Sequence, residues 1–144
     1  MRFPRILLVC FCVILMLILT GGCAPQEKAD KPKIPEIAIS EAIDILKDYT
    51  AVRDAAIDFP DDRSIHLVVL VRIGTTANTA REMGDNFARL LSSQAAIYSK
   101  DFEGPTADRL GSLYDHYQMS VTVGTGPENI IAHGAAVGSR YIRW

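Results

Sequence analysis

Cysteine is scarce in this chain and is confined to its beginning. The 144 residues include three cysteines, at positions 10, 12 and 23, and none follows. Residues 24–144 therefore have neither an internal disulfide nor a zinc site built on thiolates. Long apolar runs are equally restricted, because the only one extends from Ile6 to Leu19.

That apolar run has the surroundings of an export signal. Arg2 and Arg5 precede it, and Thr20-Gly21-Gly22-Cys23 follows it. A positive start, an apolar stretch and a small-residue exit are the layout of a secretory signal peptide. The run is shorter than the roughly 20 apolar residues that a bilayer span requires. Residues 1–22 are therefore predicted to be a signal peptide.

The exit from the signal, Gly21-Gly22-Cys23, resembles the lipobox of bacterial lipoproteins, in which small and apolar residues precede an invariant cysteine. Thr20 stands where that pattern usually has leucine, which here lies at Leu19. The resemblance implies cleavage before Cys23 and attachment of lipid to its sulfur. Acyl chains then hold the protein on a membrane. An uncleaved anchor helix, or a signal cut elsewhere without lipid, remains the alternative.

The composition changes directly after Cys23. Residues 24–36 contain three prolines and six charged residues and have almost no apolar side chains. Such a segment cannot bury enough surface to offset the entropy of ordering, so 23–36 is predicted to be a lipidated cysteine with a flexible tether. Residues 37–144 have the usual length of one globular domain.

The charge of the mature chain argues against nucleic acid as a partner. The 15 basic residues include Arg2 and Arg5, so the remaining 13 face 17 acidic residues, a net charge near −4. A weakly acidic domain with dispersed arginines has no basic footprint for phosphate backbones. It also has no attraction to anionic lipid, which leaves the acyl group as the main membrane contact.

Two helices are predicted in the domain. Ser40 is expected to cap the first, in which apolar residues follow helical spacing. Thr79 to Glu82 resembles a capping box for the second, with Thr76 and Asn78 as alternative caps, and this helix is expected to end near Ser93. A glycine in mid-helix is costly, so Gly84 is expected to mark a close approach to the sheet.

Four strands are predicted, and they fix the fold class. They cover residues 51–59, 65–73, 114–123 and 130–137, and residues 141–144 either extend the last strand or cap the core. The strand 65–73 alternates so strictly that one of its faces should be fully buried. The order helix, two strands, helix, two strands predicts an α+β two-layer sandwich. Its four-stranded antiparallel sheet should carry both helices on one face. The connection 94–113 is long enough to be functional or mobile.

Several short segments of this domain resemble segments of small exported bacterial lipoproteins whose domain has no assigned activity. The segments are Ile65–Ile73, Gly84–Arg89, Leu113–Asp115, His133–Ala135 and Ile142–Trp144. The resemblance implies a shared fold and a location in the cell envelope. It supplies no catalytic residue.

Histidine is the first residue type to consider for a metal site. His66, His116 and His133 could bind a metal if the sheet brought them to one face. No two of them have the short spacing of a ligand pair, so scattered surface histidines are the favoured interpretation.

Other patterns have equally ordinary explanations. Asp58, Asp61 and Asp62 could be paired carboxylates, but aspartates beside a proline are typical of a turn. Asp115 and His116 would point to opposite sides of a strand.

Three further motifs also lack a functional signature. Gly124–Pro127 is glycine-rich but has no following lysine and hydroxyl residue, which a phosphate loop needs. Gly134–Gly138 is interpreted as a flat strand face that a helix, at Gly84, approaches closely. Four arginines could form an anion patch if the fold brought them together, although solvated side chains are favoured. They are Arg72, Arg89, Arg140 and Arg143.

These observations predict no catalytic residue, no metal and no cofactor. The expected function is that of a non-catalytic envelope module. It would bind another envelope protein through a sheet edge or the connection 94–113. The alternative is a lipoprotein that binds a small ligand or the cell wall with the mixed outer face of its sheet.

Overall fold

A computed structural model of the chain describes residues Lys31–Trp144. The predicted signal peptide, Cys23 and the tether up to Asp30 lie outside the described residues. The described part is an α+β domain, as predicted, and its sheet has five strands. In chain order its elements are α1 (Glu36–Lys47), β1 (Val52–Asp61), β2 (Ser64–Val71), α2 (Ala77–Tyr98), α3 (Leu113–His116), β3 (Gln118–Gly126), β4 (Asn129–Val137) and β5 (Tyr141–Arg143).

The sheet is mixed, and the prediction of four antiparallel strands is wrong in two details. The strand order is β1-β2-β3-β4-β5, and β2 pairs with β3 in parallel while the other neighbours are antiparallel. The connection from β2 to β3 passes through α2, and a helical crossover returns the chain to the same end of the sheet, which makes the two strands parallel. The fifth strand arises because Gly138, with a φ of 58°, turns the chain back along β4.

The helices pack on one face of this sheet, which we call the inner face. The alternate residues Ile65, Leu67, Val69 and Val71 of β2 are all buried there, as the strict alternation predicted, but the strand ends at Val71 and Ile73 is 91% exposed. The long helix α2 contacts β2, β3 and β4, and α1 packs on α2 and β1. One hydrophobic core therefore lies between the helices and the inner face.

The start of α1 differs from the prediction. Pro35 occupies the N-cap position, so Ser40 lies within the helix and its hydroxyl donates to the carbonyl oxygen of Ile37 at 3.1 Å. A serine inside a helix commonly returns its hydroxyl to a carbonyl of the preceding turn. The residues before this helix also contact the domain, because the Tyr117 hydroxyl donates to the Pro32 carbonyl oxygen at 3.0 Å. Ile34 packs against the core.

The start of α2 is one of the predicted alternatives. Thr76 is the N-cap, and its Oγ1 accepts from the backbone N–H of Thr79 at 3.2 Å. The helix then continues past Ser93 to Tyr98, because Leu91 and Ala95 extend its buried stripe.

The predicted close approach at Gly84 is confirmed, and its main partner is a ring. A Cβ at Gly84 would overlap the indole of Trp144 and lie 3.2 Å from Cγ2 of Val121 in β3. Gly134 of β4 receives the same indole, since a Cβ there would lie 2.9 Å from Trp144 Cε3. Trp144 therefore fills a space that two glycines leave open between α2 and the sheet.

The third predicted strand begins too early. Leu113 and Tyr114 are adjacent and both buried, and Tyr117 follows at helical spacing, so the segment forms α3 before β3 begins at Gln118. The Tyr114 hydroxyl donates to the carbonyl oxygen of Ala88 at 2.7 Å. Burial raises the pKa of the Tyr114 hydroxyl well above its usual value, so the group stays protonated as a donor.

Candidate functional site

The face of the sheet that points away from the helices has no covering element among residues 31–144. We call it the outer face. One row of directly paired residues crosses all five strands: Asp58, His66, Ser120, Ala135 and Arg143. We call this the charged row. It begins with an exposed carboxylate on β1 and ends with an exposed guanidinium on β5.

Two further rows of paired residues follow the charged row along β2, in the direction from His66 to Leu70, and they are mainly apolar. The first contains Ala56, Val68, Thr122 and His133, and the second contains Asp54, Leu70, Gly124 and Ile130. A groove of about 310 Å³ runs between them, with Val68, Leu70 and Ile130 among its lining residues. We call it the apolar groove. Ile130 is 58% exposed, which is high for a large aliphatic side chain on a strand.

A short hydrogen-bond network occupies the centre of the outer face. The Thr122 hydroxyl lies 3.0 Å from Nε2 of His66 and 3.0 Å from Nδ1 of His133. A hydroxyl can donate one hydrogen and accept others, so it can serve both rings when one nitrogen is protonated and the other is not. The network therefore satisfies the Thr122 hydroxyl and one nitrogen of each ring, and it leaves the second nitrogen of each imidazole outside the network.

The third histidine lies elsewhere. His116 belongs to α3, where its ring meets Phe102 edge-on with centroids 6.1 Å apart. The fold thus brings together His66 and His133 and leaves His116 apart. Within residues 31–144, no group of three histidine, cysteine, aspartate or glutamate side chains is placed to hold a metal ion.

The aspartates around Pro60 have separate surroundings. Asp61 accepts from the backbone N–H of Arg63 at 2.7 Å and from the Ser64 hydroxyl at 2.8 Å, and these bonds lower the pKa of its carboxyl group. This is turn chemistry between β1 and β2. Asp58 instead starts the charged row, opposite His66 of β2.

Two of the four arginines that could have formed an anion patch are occupied by different loops. Arg72 Nε donates to the carbonyl oxygen of Thr50 at 2.8 Å. Arg89 Nη1 donates to the carbonyl oxygens of Thr106 and Arg109, at 2.7 and 3.2 Å. Neither contact includes Arg143, which lies on the outer face.

A second polar cluster was not foreseen from the sequence. Arg109 donates through Nη2 to Ser139 Oγ at 2.6 Å and to Asp115 Oδ2 at 3.0 Å. The cluster lies beside a cavity of about 720 Å³ that Arg140 also lines. Ser139 and Arg109 are 30 residues apart in the sequence, so no local pattern predicts their contact.

The connection before α3 is held in place by hydrogen bonds. Glu103 and Ser112 bond each other through two contacts, of 2.7 and 3.0 Å, and the Leu110 N–H donates to the Ser139 carbonyl oxygen at 2.7 Å. Phe102 and Leu110 are buried. This connection is thus a packed part of the domain.

No helix among residues 31–144 is long and apolar enough to cross a membrane. Comparisons with protein-family models, with curated proteins and with solved structures found no match for this chain.

Proposed function

We propose that this chain is a lipid-anchored module of the cell envelope that binds a protein with the outer face of its sheet. The observation that carries the proposal is the uncovered outer face, which combines the apolar groove with the polar network of His66, Thr122 and His133. Exposed apolar surface rimmed by polar residues is typical of protein-binding sites.

The sheet edges support this choice by being poorly suited to pairing with another strand. β1 has register shifts at both ends and carries Pro60 and exposed charges. β5 has only three residues. Bulges, proline, charges and short edge strands are the devices that block edge-to-edge pairing.

The polar clusters support a non-catalytic role. The partner of Ser139 is Arg109, and a guanidinium only donates hydrogen bonds, so it cannot accept a proton from the serine hydroxyl. A serine nucleophile needs a base within hydrogen-bond reach. Thr122 lies beside two imidazoles, but it is a central member of the sheet face with no cavity of polar groups around it.

The membrane anchor is the part of the proposal that the N-terminal sequence supports. Cells given a labelled fatty acid should label the wild-type chain. Cys23→Ser should lose both the label and retention by the membrane, because no other cysteine remains in the mature chain. A serine variant that stays membrane-bound and keeps its signal would instead establish the uncleaved anchor helix.

The protein-binding face is tested by photocrosslinking in intact cells. A photoreactive residue at Val68 should form a discrete protein adduct, while the same residue at Glu82, exposed on α2, should not. Ile130→Lys should remove the adduct, since it puts a charge into the apolar groove. Equal adducts from positions 68 and 82 would contradict the proposal.

A small-ligand function is the second candidate, and the apolar groove favours it. Its lining is almost wholly apolar, which suits a small apolar molecule. Such a ligand should raise the melting temperature of the chain by mass action. The increase should disappear in Ile130→Lys, with no protein adduct from position 68.

A further inference from the structure

We infer that the partner of the outer face is a second copy of this chain, packed face to face about a twofold axis that runs along the strands. The inference rests on the proposed function, because it names the occupant of the same surface. Its basis is the order of charges and of apolar residues across the five strands.

The charged row has opposite charges at its two ends. Asp58 lies on β1 and Arg143 on β5, and both are exposed. Four steps of about 4.8 Å separate these strands, so the two charges lie about 19 Å apart at the Cα level. The acidic and basic ends therefore form opposite rims of one surface.

Two twofold arrangements would stack the charged row on itself. An axis along the strands puts β1 of one copy over β5 of the other, so Asp58 faces Arg143 of the second copy at both rims. An axis across the strands puts β1 over β1, so Asp58 faces Asp58 of the second copy. Opposed like charges select strongly against the latter arrangement, which leaves the axis along the strands.

The apolar rows fit the same arrangement. With β3 over β3, strand β2 lies over β4 of the second copy, so Leu70 faces Ile130 of the second copy near the axis. Gly124 lies between them on β3 and has no side chain to hold the sheets apart. Two sheets can pack in this way about 10 Å apart with strand directions within about 30°.

The hydrogen bonds within the central network can be kept when the face is covered. His66 Nε2 and His133 Nδ1 both bond the Thr122 hydroxyl, so only the second nitrogen of each ring would exchange water for a group of the second copy. Asp54 would face no strand of the second copy, and it is held by Lys47 of its own chain at 2.9 Å. The face thus contains no charge that the arrangement leaves unpaired.

The test is a charge exchange in cells that make the full chain with two different tags. A photoreactive residue at Ser120, the centre of the charged row, should give an adduct of two copies that carries both tags. Asp58→Arg in both copies should lower its yield at least about tenfold, and so should Arg143→Asp, because each opposes like charges at both rims. Combining Asp58→Arg on one tag with Arg143→Asp on the other should restore the mixed adduct.

Matched controls use the same charge changes on the helices. Asp44→Arg and Arg81→Asp, both exposed, should leave the yield unchanged. Protease resistance of each variant checks folding, and restoration by the combination itself requires that both variants fold. An adduct with a different protein would overturn the inference while leaving the proposed function intact. Loss of yield without restoration in the combination would also overturn it.

Discussion

The two faces of the sheet use the same strands in opposite ways. On β2, the inward residues Ile65, Leu67 and Val69 are at most 1% exposed, whereas their outward neighbours His66 and Val68 are half-buried. The inward set is uniformly aliphatic, and the outward set mixes aliphatic, hydroxyl and imidazole side chains. Burial in the core thus constrains one face of the strand to aliphatic side chains and leaves the composition of the other face less constrained.

The largest expected effect is the difference in stability between a substitution on the inner face and one on the outer face. Phe87 is fully buried between α2 and the inner face. Phe87→Ala should cost about 3–5 kcal/mol in the free energy of unfolding, through lost burial and the cavity it leaves. Val68→Ala on the outer face should cost about 1 kcal/mol or less. Denaturant unfolding of the detergent-solubilised chain, followed by the fluorescence of its single tryptophan, measures both. Equal costs would refute the assignment of the faces.

The next effect tests how tightly the inner face is packed. Gly84→Ala places a methyl group against the Trp144 ring, and overpacking of this kind typically costs about 1–3 kcal/mol. That cost should outweigh the helix propensity that alanine gains, which is about 1 kcal/mol. The matched control is Gly126→Ala, where a Cβ would meet nothing within 4 Å. If Gly84→Ala stabilises the chain, the indole does not occupy the space between α2 and the sheet.

A smaller effect concerns the buried hydroxyl that ties α3 to α2. Tyr114→Phe keeps the ring and removes the donor to Ala88, so it should cost about 1 kcal/mol. Tyr141→Phe, at an exposed position on β5, should change nothing measurable. The same unfolding experiment distinguishes the two, and a Tyr114→Phe variant as stable as wild type would show that the hydroxyl contributes nothing.

Local sequence patterns predicted the helices and strands. They did not predict the features that depend on contacts between distant parts of the chain. The alternation of β2, the glycine at Gly84 and the cap at Thr76 could be read from neighbouring residues. The parallel pairing of β2 with β3 could not, because it follows from the path of α2 across the sheet. The network on the outer face depends on that pairing. Without it, nothing in the sequence joins His66 to Thr122, which lies 56 residues away.

The smallest expected effect concerns two aspartates whose environments act in opposite directions. Hydrogen bonds from Arg63 and Ser64 lower the pKa of Asp61, and partial burial on α2 raises the pKa of Asp85. Ionised Asp61 therefore stabilises the fold above its unfolded pKa, and the gain is lost as the pH falls through its folded pKa. Ionised Asp85 destabilises the fold at neutral pH, and that cost is removed as the pH falls through its raised pKa.

The two asparagine variants should consequently move stability in opposite directions. At pH 7, Asp61→Asn should lower the melting temperature slightly and Asp85→Asn should raise it slightly. Both differences should shrink in acid, that of Asp85→Asn at a higher pH than that of Asp61→Asn, because each aspartate becomes neutral as the pH falls through its own folded pKa. Melting curves of the three chains between pH 7 and pH 3 provide the measurement. Shifts of the same sign at pH 7 would mean that burial does not govern the carboxyl group of Asp85.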